Sequence, residues 1–170
     1  MPPPESGYFS RESLRPLPAA LGCLMNNTGK DLTKEPPRSP RVRIGGYAIL
    51  GRTYDKCRAQ LWGNIGEYHF DCPLDNMLFG FKGVKGADFK AQIENGASDQ
   101  QMAEWLDQSG EKKTPDEIRR WGDEAEANRY YDDPEKREWF VGVTTPLGLD
   151  PEKTTLFEYL EADDKASHSG

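Results

Sequence analysis

With 170 residues, 35% of them hydrophobic and 30% charged, the chain is long enough for one domain that buries roughly two-thirds of its unfolded surface. Its formal net charge is −7, and 21 of the 29 acidic groups fall from Lys85 onward; such a balance argues against nucleic acid, because phosphate binding needs clustered Lys and Arg. No stretch approaches the roughly eighteen apolar residues of a membrane span, while four Trp, seven Tyr and seven Phe let a lean composition still build a core.

Residues 1–30 read as an N-terminal arm: they are rich in proline and carry little apolar periodicity. Leu17 to Cys23 faintly resembles a lipoprotein cleavage box, but its apolar run is short and interrupted by proline, so export is not expected. Met25 is a candidate start. Residues 31–165 form the single predicted domain and 166–170 a tail. The three cysteines, Cys23, Cys57 and Cys72, show no CxxC spacing, and an odd count fits a reducing cytoplasm better than a disulfide framework.

The first predicted helix spans Val42 to Trp62. Leu50, Tyr54, Cys57 and Leu61 form one apolar stripe at 3.6-residue spacing, and Ile44, Tyr47, Ala48, Gly51 and Trp62 a second, with Arg52, Thr53, Lys56 and Gln60 gathered on another side. Asp55 and Arg58 break the second stripe and, three residues apart, are placed to pair on one face. Gly63, Asn64 and Gly66 end this helix. Pro73 then suits the first turn of a short helix reaching about Phe81. A run of capped helices follows. One covers Ala87 to Glu94, and another starts at Ser98 with Gln101 completing a capping box. Thr114, Pro115 and Glu117 make a second box; Asp133-Pro134 opens a helix carrying Trp139, Phe140 and Val143; the last helix lies near Thr155 to Glu161. The class is all-α, a compact bundle of five or six short helices.

Reactive groups concentrate in Glu67-Tyr68-His69-Phe70-Asp71-Cys72-Pro73-Leu74-Asp75. A histidine beside carboxylates is a ready general acid or base. The competing reading is a turn in which the imidazole bonds the loop and Asp71 caps the next helix. Burying Asp55 and Arg58 would be costly, so their inward position suggests that they face this segment across one cleft, with Gly51 leaving room for a close approach. His69, Asp71 and Asp75 with Asp55 or Cys72 match no zinc spacing, and no phosphate-cradling glycine motif appears, so neither metal nor cofactor is expected. Cys72 near a helix start is a possible nucleophile or a small buried hydrophobe. The basic run Arg38-Ser39-Pro40-Arg41-Val42-Arg43 offers an anion contact through guanidinium forks, or a clamp onto the acidic half.

Asp31-Leu32, Pro37 to Arg41, Gly45-Gly46-Tyr47, Leu50, Asp55-Lys56, Arg58-Ala59, Gly63 and Gly66 to Asp75 together resemble a bacterial family classed as a domain of unknown function. Gly96 to Asp99 and Glu158 to Asp164 fit it as well. The likeness covers about residues 30–165, and its most specific part is Tyr68 to Asp75. It implies a small helical protein and carries no activity with it; Cys57 and the first thirty residues depart from the pattern.

The resulting expectation is a small cytoplasmic enzyme using cofactor-independent acid/base chemistry on a small polar or anionic organic molecule. His69 would transfer the proton, Asp55 or Asp71 orient it, and Arg58 stabilise charge. Tyr47, Tyr54, Trp62 and Tyr68 would line a concave pocket, with Arg41, Cys72 and Asp75 touching the substrate. The rival is a non-catalytic ligand-binding or regulatory module, which would expose an apolar patch instead. Neither nucleic acid nor membrane is an expected partner.

Overall fold

Gly45 and Gly46 both take positive φ and turn the chain so that Ile44 and Tyr47 exchange backbone hydrogen bonds at 3.2 and 3.0 Å. A Cβ at Gly45 would sit 2.6 Å from the Ala103 Cβ, so this turn approaches a later helix as only glycine allows. Ile49 is then held in the left-handed region at φ 69°, and helix α1 begins at Leu50 (Leu50–Trp62). The helix expected from Val42 therefore starts eight residues late, because two glycines and a left-handed Ile49 interrupt its backbone. The computed structural model describes residues 29–169; the arm, Cys23 and Met25 lie outside the described residues apart from Gly29 and Lys30.

Downstream, local chemistry sets the boundaries. Gly63 closes α1 in the left-handed conformation, its N–H bonded back to the helix, as an αL cap does. Pro73 opens α2 (Pro73–Lys82), and α3 spans Gly86–Glu94. Complete capping boxes open α4 (Asp99–Gln108) from Ser98 and Gln101, α5 (Pro115–Ala127) from Thr114 and Glu117, and α7 (Leu156–Ser167) from Thr155 and Glu158. The helix expected at Asp133-Pro134 begins at Arg137 (α6, Arg137–Thr144). Asp133 instead accepts from the Glu135 N–H, closing a turn one step ahead of the helix. Helix α7 runs two residues into the stretch read as a tail.

The fold is all-α, as the run of periodic and capped segments implies. Helix α1 packs against α2, α3 and α4, and α5 against α7. Leu50, Tyr54 and Cys57 of α1 meet Phe79, Phe89, Met102 and Leu106 in one core. Phe70, Phe79 and Phe89 form one aromatic cluster, and Tyr130, Trp139, Phe140 and Tyr159 another, which is how few apolar positions fill the interior. Among the described residues no helix is long and apolar enough to cross a membrane.

Candidate functional site

Burial of α1 extends past its apolar stripes. Arg52, Thr53, Asp55 and Lys56 are 3%, 0%, 7% and 3% exposed, so the polar arc of this helix is buried through Lys56 and reaches solvent only at Gln60. Buried charge is tolerable only when it is paired and hydrogen-bonded, and each of these groups is. Arg52 donates to both oxygens of Asp164 at 2.6 and 2.9 Å. The Tyr68 hydroxyl donates to the same carboxylate at 2.9 Å, and its ring lies 5.6 Å beneath the Arg52 guanidinium. Asp55 accepts from the Arg38 backbone N–H at 2.9 Å and from its Nε and Nη2 at 3.0 Å each. The remaining arm of Arg38 reaches Asp99 at 2.8 Å and holds that carboxyl below its usual range.

Lys56 is the third ion of the helix, and it meets the reactive segment. Its Nζ lies 2.9 Å from Asp75 Oδ1 and donates to Cys72 Sγ at 3.1 Å. Asp75 has no exposure at all; it also accepts from Thr53 Oγ1 at 2.7 Å and from the Asp71 N–H at 2.9 Å. That last bond requires Asp71 in the left-handed region, φ 59°, which Asp tolerates better than most residues. Cys72 is half-buried and stands as the N-cap residue of α2. A sulfur there has an ammonium on one side and a helix N-terminus on the other, and both put positive charge beside it.

Asp55 and Arg58, expected to pair on one face opposite His69, stand in different settings. The Asp55 carboxylate is taken by Arg38, and the Arg58 guanidinium lies 5.6 Å over the Tyr54 ring, close enough to Asp99 to help lower its pKa. His69 is exposed, and so is Asp71, whose carboxyl lies against Gly86, where a Cβ would come within 2.6 Å of its Cγ. The expected pocket aromatics Tyr47, Tyr54, Trp62 and Tyr68 differ in their settings. Tyr47 is buried with its hydroxyl on Asp107 at 2.8 Å, and Tyr54 donates to the Ala97 carbonyl at 3.0 Å. Burial raises the pKa of both phenols, and of Tyr68. Trp62, 38% exposed, borders a separate small cavity with Leu61, Ile93 and Glu94. Arg41 acts as a clamp, donating to Glu126 at 2.6 Å and Glu161 at 2.9 Å. Among the described residues no three His, Cys, Asp or Glu side chains converge as a metal shell.

What joins the two halves of the site is Lys56 with Thr53, neither singled out as a working group from the sequence. The signal was present: both share the polar arc with Arg52. His168, placed in a tail, stacks on Tyr68 with ring centroids 6.0 Å apart. A family model described as a domain of unknown function, DUF5069, matches residues 34–166. The chain belongs to that family. No curated protein matches the chain. The DUF5069 span takes in Arg38, Lys56, Cys72, Asp75 and Asp164, so the whole buried ionic network lies inside the family domain.

Proposed function

We propose that this DUF5069 protein is a small enzyme of a reducing compartment, the cytoplasm, that applies cofactor-independent acid/base chemistry to a small polar or anionic organic molecule. The reading rests on one observation: a half-buried thiol at a helix start, 3.1 Å from a buried lysine that Asp75 holds in place. Cys72 is the attacking or proton-accepting group, and Lys56 stabilises negative charge on the sulfur or on the substrate. His69, exposed in the same turn, exchanges protons with solvent and substrate. Asp75 and Thr53 act as positioning residues, since they touch Lys56 or its partner rather than the space in front of Cys72.

An activated ester tests the nucleophile without knowledge of the natural substrate. Incubation with p-nitrophenyl acetate should release a burst of nitrophenolate equal to the protein concentration, absent from Cys72→Ser. His69→Gln should slow it, because general acid/base assistance is typically worth about 10²–10⁴ in rate. A Cys72→Ser chain as fast as the wild type would sink the proposal. A second reading, a non-catalytic binding module, is favoured by the full engagement of Asp55, Asp75 and Asp164 with cations. On that reading the network is a frame only, and neither Cys72→Ser nor His69→Gln changes any rate.

A further inference from the structure

Both described cysteines, Cys57 and Cys72, are free, and the fold treats them differently. Cys57 has no exposed surface, and burial pushes its thiol up to about 12, where it is inert to oxidants at neutral pH. Cys72 is half-buried and within reach of a molecule as small as hydrogen peroxide. What surrounds it is unusual for a cysteine. Its sulfur accepts from a primary amine, Lys56 Nζ, at 3.1 Å, on a side chain only 3% exposed and tied at its far end to Asp75 at 2.9 Å. A lysine held this way has little freedom to move off. An electrophilic sulfur formed at Cys72 would meet that nitrogen before it met another thiol.

We propose that Cys72 is a peroxide-reactive site and that Lys56 captures the oxidised sulfur as a covalent lysine–cysteine cross-link. In the first step the Cys72 thiolate attacks one peroxide oxygen and the O–O bond breaks, leaving a sulfenic acid and hydroxide. Hydroxide takes a proton from the Lys56 ammonium and becomes water. The neutral nitrogen then attacks sulfur, the S–O bond breaks, and the hydroxyl leaves as a second water with a proton from nitrogen. Thiolate, ammonium and one hydrogen peroxide thus give a sulfenamide and two waters; the sulfur is oxidised by two electrons and the peroxide reduced. Sulfenic acids are known to close onto nitrogen in this way, and here the nitrogen is a side-chain amine already in contact. The link removes the positive charge that Asp75 faces, so oxidation also dismantles the ion pair at the base of the site.

The inference uses the Lys56–Cys72 contact but does not depend on turnover. The full chain is treated with hydrogen peroxide at neutral pH, blocked with iodoacetamide after unfolding, and digested with trypsin without reductant. Mass spectrometry should find the Lys56 and Cys72 peptides joined with the loss of two hydrogens, about 2 Da. Trypsin should fail to cut after Lys56, dithiothreitol should release the pair, and Cys57 should be recovered alkylated. In Lys56→Arg the joined species should vanish and dimedone should label Cys72 instead. The wild-type map alone decides the matter if that variant fails to fold. The proposal is overturned if Cys72 passes to sulfinic acid with no joined peptide, if it pairs with Cys23 or Cys57, or if the joined peptides retain an oxygen. Cross-linking without an ester burst would keep this inference and discard the catalytic reading; a burst without cross-linking would do the reverse.

Discussion

Asp75 shows how much one buried side chain can carry. Its carboxylate holds Lys56, Thr53 and the backbone of Asp71 at once, and it has no exposure to water that could replace them. Removing one partner of a buried pair strands the other charge and costs about 3–5 kcal/mol, whereas exchanging both for apolar groups of similar volume is often neutral. Asp75→Asn and Lys56→Met should each lower the urea-extrapolated stability by an amount in that range. Their double mutant should lose much less than the sum, and strict additivity would count against direct coupling. His69→Gln serves as the contrast. The ring is exposed, so its replacement should leave stability within about 0.5 kcal/mol. A loss as large as that of Asp75→Asn would make His69 a structural lock.

At the level of elements, α1 stands apart by the three charged side chains it buries. Helices α4, α5 and α7 each start at a capping box complete within four residues, and these are separable contributions. Thr155→Ala removes the hydroxyl that accepts from the Glu158 N–H and ends the reciprocal box of α7. A cost of about 0.5–2 kcal/mol is expected, read by thermal or urea unfolding, and Thr155→Ser should restore most of it. No change would mean that α7 is held by packing alone. Helix α1, like α2, α3 and α6, has no side-chain cap, and its buried Arg52, Asp55 and Lys56 tie it to what surrounds it. Arg38, Asp75 and Asp164 come from three different parts of the chain, so its position is a tertiary property and its charges act as addresses for those parts.

The whole molecule carries a titration signature. Burial raises the pKa of Tyr47, Tyr54, Tyr68, Tyr130 and Tyr159 and lifts the Cys57 thiol to about 12. In the unfolded chain a thiol releases its proton near about 8.5 and a phenol near about 10. The folded state therefore keeps protons that the unfolded state gives up. Stability from these groups is fully present below about pH 8.5 and is lost as pH rises through the folded values. Lys82 works in the opposite sense, since burial lowers its pKa, but it is one group against six. The urea midpoint should fall steadily from pH 8.5 to 11, and the ultraviolet titration of the phenols should coincide with unfolding. A flat midpoint over that range would show that these hydroxyls are not buried in solution.

Much of this architecture was legible in the residues themselves, for an identifiable reason. Ser98 with Gln101, Thr114 with Glu117 and Pro73 mark helix starts because capping acts over three or four residues, so the interaction is complete within the local sequence. Aromatic content foretold a packed core for a related reason: large side chains bury area wherever they pack. The site was legible only in its neighbourhood. Within Tyr68 to Asp75 the chain bends through a left-handed Asp71, which leaves His69 in solvent and sends Asp75 into the core. Density of reactive residues along the chain does not reveal such a bend. Nor does periodicity reveal that Arg52, Thr53 and Lys56 of the polar arc are buried, because a charged residue reads as solvated until its partner is known. The partner of Arg52 is Asp164, 112 positions away. Only the tertiary structure brings the two together, and with them Lys56 to Cys72, because long-range ion pairing is decided by how helices pack and not by what lies beside a residue in the chain.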